Sequence, residues 1–389
     1  MKILRVINTV NPEHGGPVEA LKRVTEAFTE LGHHTEVVSM DAPEDPWVDE
    51  FPHELHALGP ARTQSYRYSP KLGPWIRSNA SRFDCVIIHA LWQHNSYGTW
   101  RGLRGLSVPY FVYLHGSLDP WYKRTYPVKH AKKQVYWWLC EYRVLRQANG
   151  VFFTSEEEML LGRPTFRPNH YNAIVVPYGT SRPIADMRHA RARFEQEFPE
   201  LAGKRIILYV GRLHAKKGCD LLIEAFAGIA RDNPEFRLVL AGPDRHGTWP
   251  ELQALARRCG ADDRVHWIGM IKNDLKWGAY DACEVFALPS HSENFGVSAV
   301  EALAFERPVL LSDKVMIWRE IVSDAAGLAD TDDLDGTARL LRKWAGLDAA
   351  ARATMSKRAG RCFESRFEIK SVAQGLLETL SRNGVVCSQ

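Results

Sequence analysis

The chain has 389 residues, 45% of them hydrophobic and 25% charged, with a formal net charge of +4. That length is too great for one ordinary core and leads to an expectation of two domains of roughly 100–200 residues each. The near-balance of charge argues against a nucleic-acid binder, no run of about 20 apolar residues is present to span a membrane, and "MKILRVINTVNPEHGG" lacks the cleavage region of a signal peptide.

Short apolar runs alternate with longer helical patterns. "KILRVI" precedes the helical "VEALKRVTEAFTELG", and "HTEVVSM", "DCVIIHA", "PYFVYLHG", "NGVFFTS" and "AIVVPYG" follow. After the turn-rich "PYGTSRP" the rhythm restarts with "KRIILYVGRL", "FRLVLAGP", "RVHWIGMI", "CEVFALPS" and "RPVLLSD". This is the order of a parallel sheet covered by helices, met twice. It predicts an α/β fold of two Rossmann-like, doubly wound domains facing across a cleft, over residues 1–180 and 181–365, with a terminal amphipathic helix in 366–389. Ligands of such sheets sit beyond the carboxyl ends of the strands. The cysteines are scattered, odd in number and without a C-x-x-C pair, which fits free thiols in a reducing cytoplasm and no zinc site.

In chain order, the first candidate site is the loop "NPEHGGPVEAL". Gly15 and Gly16 precede a helix expected to begin near Pro17, whose free N–H groups can face an anion or a sugar hydroxyl. An ordinary turn is the other reading. His89 closes "DCVII", with Trp92 and His94 behind it, and His115 closes "PYFVYL" before a glycine. A histidine at a strand end points toward the expected cleft; a capped core histidine is the alternative for each. The stretch Trp121 to Arg146 sets Lys123, Arg124, Lys129, Lys132, Lys133, Arg143 and Arg146 against Glu141, with aromatic residues interleaved. It reads as a helix lying on an anionic membrane surface or as a solvated basic helix with its aromatics in the core.

Neither G-x-G-x-x-G nor G-x-x-x-x-G-K-[ST] occurs, so a Rossmann dehydrogenase or a P-loop enzyme would lack its phosphate loop. "LYVGRLHAKKG" offers another: Gly211 and Arg212 close a strand, and Lys216, Lys217 and Gly218 follow. A guanidinium fork and an ammonium point charge suit a diphosphate, although a solvated basic turn reads the same way. "HSENFGVSAVEAL" places Glu293 in a loop and Glu301 inside the next helix, which is expected to start near Phe295-Gly296 with Ser292 or Asn294 as its cap. At 1.5 Å per residue the two carboxylates stand roughly 10 Å apart. That is too far to share a proton or a metal ion and suits the two ends of an extended ligand. The N–H groups of residues 294–296 lie between them, where the helix dipole favours negative charge. Hydroxyls flanking a diphosphate, as in a nucleotide sugar, match that pattern. Two solvated glutamates are the alternative, weakened by the apolar neighbours Val300, Ala302 and Ala304.

The E-x7-E of "ENFGVSAVE", with "GRLHAKKG", "PSHSENFG", the N-terminal glycine pair and His115, resembles the retaining glycosyltransferases of family 4, which have the GT-B fold. The resemblance covers nearly the whole chain. It implies transfer of a sugar from a GDP- or UDP-sugar to a glycan acceptor, lipid-linked, in bacterial exopolysaccharide or lipopolysaccharide synthesis. The enzyme would be cytoplasmic, on the inner face of the cell membrane where residues 121–146 touch it. His115, Arg212, Lys217 and Glu293 would be the catalytic set. Arg212 and Lys217, with Gly211, would bind the diphosphate, and Glu301 the ribose. Glu293 would hold the transferred sugar, assisted by Asn294, Phe295 and Gly296. His115 would sit near the anomeric centre, and the backbone at Met270 and Ile271 would meet the base. Gly15 and Gly16 would approach the phosphates or the acceptor, while His89, Trp92, His94 and Asp119 would lie on the acceptor side. The terminal helix would return to the N-terminal domain.

No cofactor or metal is implied. No D-x-D ends a strand, "TDDLD" near residue 333 is a late loop, and cations with a helix N-terminus would do a metal's work. Front-face attack would retain configuration without a covalent nucleophile. Two positions depart from the family pattern. Glu306 stands where a glycine ends the E-x7-E helix, so either a non-glycine takes the helix-terminating conformation or the turn differs. "DKVMIWREI", with Trp318, replaces a glycine-rich loop. A nucleotide-sugar epimerase or hydrolase on the same fold is the alternative activity, and a non-catalytic binder a third.

Overall fold

Two parallel sheets carry the chain, and the computed structural model describes residues 1–14, 16–63, 65–182 and 186–386, with the backbone alone for residues 122 and 124. The first sheet holds β1 (Lys2–Val6), β2 (His34–Ser39), β3 (Leu55–Ala57), β4 (Cys85–His89), β5 (Tyr110–Tyr113), β6 (Gly150–Phe153) and β7 (Ala173–Val175). Their order is β3-β2-β1-β4-β5-β6-β7. The second holds β8 (Arg205–Val210), β9 (Phe236–Ala241), β10 (Val265–Trp267), β11 (Val285–Leu288), β12 (Val309–Ser312) and β13 (Gly327–Asp330), in the order β10-β9-β8-β11-β12-β13. These are the two doubly wound α/β domains that the strand–helix rhythm predicts.

One compact unit comprises Met1–Gly179 with Ile369–Gln389, and the other Thr180–Glu368. In each sheet the order reverses once, between β1 and β4 and between β8 and β11. Loops leaving the carboxyl ends of those strands diverge to opposite faces and leave a crevice, the standard ligand position in such sheets. The two-residue period of β1 explains the layering of the first unit. Leu4 and Val6 join Val86, Ile88 and Val112 in the larger core, while Arg5 points to the opposite face.

Two strands carry no strong sequence signal. β3 and β13 are edge strands with half-exposed residues, so neither needs the unbroken apolar run that marks a strand buried on both faces. The terminal helix, Ile369–Arg382, buries Ile369, Val372, Ala373, Leu376 and Leu380. It packs beside the helix Gly16–Glu30, where Lys370 pairs with Glu30 at 2.9 Å. Asn383, just past it, is held by the side-chain amides of Asn149 and Asn172. The helix therefore returns to the N-terminal domain, as the resemblance implies.

The helix that carries Glu301 is shorter than expected, Val297–Ala304. Its end settles the question raised by Glu306. That residue takes the left-handed conformation, φ +59°, and its N–H donates to the Leu303 carbonyl while Arg307 N–H donates to Ala302. This is a Schellman stop built without glycine. The strain of a left-handed non-glycine residue is about 1 kcal/mol or somewhat more. Glu306→Gly should therefore raise stability by about 1 kcal/mol. A thermal unfolding curve shifted to lower temperature would show instead that the Glu306 stem packed near Gly360 matters more than the strain.

Candidate active site

In the second unit the site is assembled at the reversal of the sheet. β8 ends at Gly211-Arg212, where the Tyr209 hydroxyl donates to the Arg212 carbonyl at 2.8 Å. His214 Nδ1 accepts the Lys216 N–H at 3.0 Å and caps a single turn over Ala215–Lys217. Gly218 follows with φ +67°, and a Cβ there would run into the Pro289 carbonyl oxygen. Only glycine lets the loop after β8 pass this close to the loop after β11. The closeness brings Lys217 Nζ and the Glu293 carboxylate into an ion pair.

The loop with Glu293 is tied on both flanks. His291 N–H donates to the Lys216 carbonyl at 2.9 Å, Glu293 N–H to Lys314 at 3.0 Å, and Met316 N–H to Glu293 at 3.0 Å. Gly296, φ +75°, turns the chain into the helix. The cap is therefore Gly296, not Ser292 or Asn294, and among the described residues no side-chain hydrogen bond caps the start. The positive pole of the helix keeps its capacity for an anion. Phe295 is buried. Two residues missed in the sequence hold Glu301: Lys276 Nζ lies 2.7 Å from one carboxylate oxygen, and the Tyr280 hydroxyl donates to the other at 3.0 Å. Burial beside that carboxylate pushes the Tyr280 phenol well up, so it remains a donor. Lys276 and Tyr280 stand four apart on Asn273–Ala282 and so share one face, the only sequence signal they give.

Beyond β10, Met270 is exposed and Ile271 buried, after Gly269 accepts the Gly242 N–H at 2.7 Å. Trp318 starts the next helix, with Arg319 over its ring at 4.5 Å. "TDDLD" is more than a solvated loop. Asp333 caps Leu334–Ala345 through the Gly336 N–H, and Asp332 pairs with His291 at 3.0 Å.

In the first unit, Gly15 lies outside the described residues, and Gly16 opens its helix with clear space, at least 4 Å, around the place a Cβ would take. Four rings stack at the ends of β4 and β5: Tyr178 on Tyr113 at 5.7 Å, Tyr113 on His115 at 4.6 Å, and His115 on His89 at 5.0 Å. His115, φ +53°, uses both ring nitrogens inside the protein, Nε2 with His89 Nδ1 at 2.8 Å and Nδ1 with the Tyr178 hydroxyl. Burial, reinforced by Arg5, pushes His115 down to about 3, so the ring is neutral. Its imidazole is a supported wall rather than a free hydrogen-bonding arm.

Of the expected acceptor-side residues, His89 and His94 are interior groups, and His94 Nδ1 accepts the Ser69 N–H. Both rings are therefore enclosed by their own domain. Trp92 donates its indole N–H to the Ser117 carbonyl at 2.8 Å and lies under Lys133 at 4.4 Å. Asp119 lines a cavity of about 230 Å³ with Lys129, His130, Lys133 and Phe166. The stretch 121–146 is not one helix. It breaks into Trp121–Thr125, Pro127–Tyr136, a π-turn at Trp137–Glu141 and Tyr142–Gln147. Among the described residues one group has metal-ligating geometry: His34, Glu36 and Glu54, with donor atoms within 4.8 Å of one another. Glu36 there is already engaged by His56 and Arg82.

The family described as glycosyl transferases group 1 matches residues 191–361, and a glycosyl transferase 4-like domain matches residues 15–179. D-inositol 3-phosphate glycosyltransferase of Kineococcus radiotolerans is 31% identical over 227 residues, 54% of this chain and 51% of that one. The chain thus spans about half the length of the curated relatives it matches. Sucrose-phosphate synthase from Thermosynechococcus elongatus superposes over 98% of both chains, with a TM-score of 0.72 at 20% identity. Anabaena HepE in complex with UDP and glucose superposes over 98% of this chain and 100% of that one, again at 0.72 and 20%. The fold is GT-B.

Glu141 gives the first unit a pH dependence. It is fully buried, accepts the Trp92 N–H at 2.7 Å and the Ser96 hydroxyl at 2.6 Å, and burial pushes it up from 4.5 to about 7. The folded chain then holds a proton that the unfolded chain releases. Its contribution is fully present below pH 4.5 and is lost as pH rises through 7. Glu141→Gln removes that loss, so the unfolding midpoint of the variant, relative to the native chain, should rise between about pH 5 and pH 7.5. A difference that stays flat across this range would refute the assignment.

Proposed function

We propose that this chain, which carries both domains of a GT-B glycosyltransferase, transfers a hexosyl group from a nucleotide sugar to a glycan acceptor. Configuration at the anomeric carbon is retained and no metal is used. The observation that carries this reading is the ion pair between Lys217 and Glu293 at the reversal of the second sheet, with Glu301 one helix further on. A diphosphate at Lys217 would lie beside an uncapped helix start, within reach of the exposed Arg212. Those positive groups stabilise a nucleoside diphosphate leaving group, which is the task a metal performs elsewhere. Glu293 takes hydroxyls of the sugar, and Glu301, fixed by Lys276 and Tyr280, takes those of the ribose. The UDP and glucose in the HepE complex favour a UDP-sugar as donor.

The acceptor is lipid-linked in this reading, and residues 121–146 meet an anionic membrane surface. Tyr126, Val128, Val135, Trp138 and Leu139 are exposed apolar side chains, interspersed with exposed Lys123, Lys129, Lys132 and Arg143. Apolar anchors among cations suit the boundary between headgroup and acyl chain. Trp137 is fully buried and holds the segment to its domain. No helix among the described residues is long and apolar enough to cross a membrane.

Thermal-shift titration with UDP- and GDP-sugars tests the donor site. One of the two nucleotide classes should stabilise the chain without added metal. Lys217→Ala and Glu301→Gln should each weaken that stabilisation at least tenfold in half-saturating concentration. If neither class stabilises the native chain, the reading fails. Vesicle co-sedimentation tests the membrane face. The native chain should bind vesicles rich in phosphatidylglycerol and not pure phosphatidylcholine, and Val128→Glu with Leu139→Glu should abolish binding. Equal binding to both lipids would remove the electrostatic argument.

A further inference from the structure

The β3 edge of the first sheet sets like charges side by side. Val37 N–H of β2 donates to the Glu54 carbonyl at 2.8 Å, and Val38 is in register with His56 of β3. Glu36 and Glu54 thereby become cross-strand neighbours. His34 and His56 stand two residues from them along the strands and so share their face. Like charges in opposed positions on paired strands are destabilising. Glu36 is only 8% exposed, so little water is left to screen the repulsion.

The two imidazoles divide the carboxylate oxygens between them. His56 Nε2 meets Glu36 Oε2 at 2.7 Å and Glu54 Oε1 at 3.8 Å, and Arg82 donates to the same Glu36 Oε2 at 3.0 Å. The other two oxygens face His34, whose Nε2 stands 3.5 Å from Glu36 Oε1 and 3.5 Å from Glu54 Oε2. Every side-chain hydrogen bond of Glu36 among the described residues goes to Oε2, so Oε1 keeps its lone pairs. One ligand atom from each of His34, Glu36 and Glu54 lies within 4.8 Å of the others. The spacing decides between two readings. A direct imidazole–carboxylate hydrogen bond spans about 2.7–3.2 Å. Nitrogen and oxygen ligands at about 2.0–2.2 Å from a tetrahedral ion stand about 3.3–3.6 Å from one another. His56 is at the first distance and His34 at the second.

We propose that His34 Nε2, Glu36 Oε1 and Glu54 Oε2 bind one divalent ion of the zinc class, with water in the fourth tetrahedral position. Two carboxylates and a neutral imidazole bring a charge of −2, which the ion cancels. His56 and Arg82 hold Glu36 from behind through Oε2, the outer hydrogen bonding that orients a metal-bound carboxylate. The Trp75 ring, 4.8 Å from that of His56, supports this second imidazole in turn. A protonated His34 shared by the two carboxylates is the competing arrangement, and it would draw the ring within hydrogen-bond distance of at least one of them. The ion pins edge strand β3 to β2. It belongs to the first unit, has no part in the donor machinery of the second, and does not depend on the transfer reaction proposed above.

Crystals of the full chain soaked in zinc chloride, with data collected on both sides of the zinc absorption edge, provide the test. An anomalous peak about 2.0–2.2 Å from the three ligand atoms is expected, and its absence at saturating zinc overturns the proposal. In solution, zinc added to the chelator-treated chain should raise the unfolding midpoint saturably. His34→Ala and Glu54→Gln should each raise the half-saturating zinc concentration at least tenfold. Both side chains are 51% exposed, so these variants keep the fold. Equal half-saturating concentrations in the native chain and both variants would show that zinc acts elsewhere and refute the site. Stabilisation by nucleotide sugars, read in the same samples, should be unchanged by either substitution, so that failure of the ion site and failure of the donor site are told apart.

Discussion

The second unit depends on one constraint: the loop that carries Glu293 is fixed to the loops on both sides of it. Backbone bonds run from His291 to Lys216, from Glu293 to Lys314 and from Met316 back to Glu293. Because β8 and β11 are neighbours at the reversal of strand order, the chain ends of both must share one crevice. Gly218 allows the close approach, and the bonds make it permanent. Main-chain ties of this kind survive side-chain substitution. The position of Glu293 is therefore a property of the fold, and its partner Lys217 a choice made upon it.

The first unit solves a different problem. Its equivalent strand ends carry aromatic and imidazole rings in place of glycines and lysines. Tyr113, His115, His89 and Tyr178 form a stack whose hydrogen bonds run along its length and leave no ring nitrogen of His115 free. The left-handed backbone of His115 is held by that stack and by Glu158, which accepts the Gly116 N–H at 2.7 Å. Rigidity there is obtained with buried polar groups, so any orphan among them has a large cost.

Much of this is legible in the sequence because local patterns carry it. Runs such as "RIILYV" and "CVIIH" are long enough and apolar enough to admit only a buried strand, and the glycine-lysine turn after β8 is contiguous. Edge strands β3 and β13 are not legible, since half-exposed residues at a sheet margin obey no strong pattern. The start of the Glu301 helix departs from expectation because Ser292 and Asn294 are good caps by residue type, whereas the tie of Glu293 to Lys314 fixes a later turn at Gly296. Lys276 and Tyr280 reach Glu301 from a helix more than twenty residues away in sequence, which spacing rules confined to one helix cannot see. His115 shows the same limit. Its strand-end position is readable, but the partners of its two nitrogens come from β4 and from beyond β7.

The two glutamates differ in how firmly they are held, and the difference bears on the order of events at the site. Glu301 is 6% exposed and receives both an ammonium and a phenol hydroxyl. A carboxylate so satisfied is pre-oriented, and a ligand hydroxyl adds to its hydrogen bonds without displacing a partner. Glu293 and Lys217 are each about one-fifth exposed, and a pair that reaches solvent is held only weakly. A diphosphate brings two negative charges to compete for the same ammonium. In the donor site proposed above, Lys217 would turn to it at little electrostatic loss, and Glu293 would then be released to accept hydroxyls of the sugar. On that proposal the pair would keep both side chains ordered before binding and yield them together on binding, while Glu301, held by Lys276 and Tyr280, would stay in place.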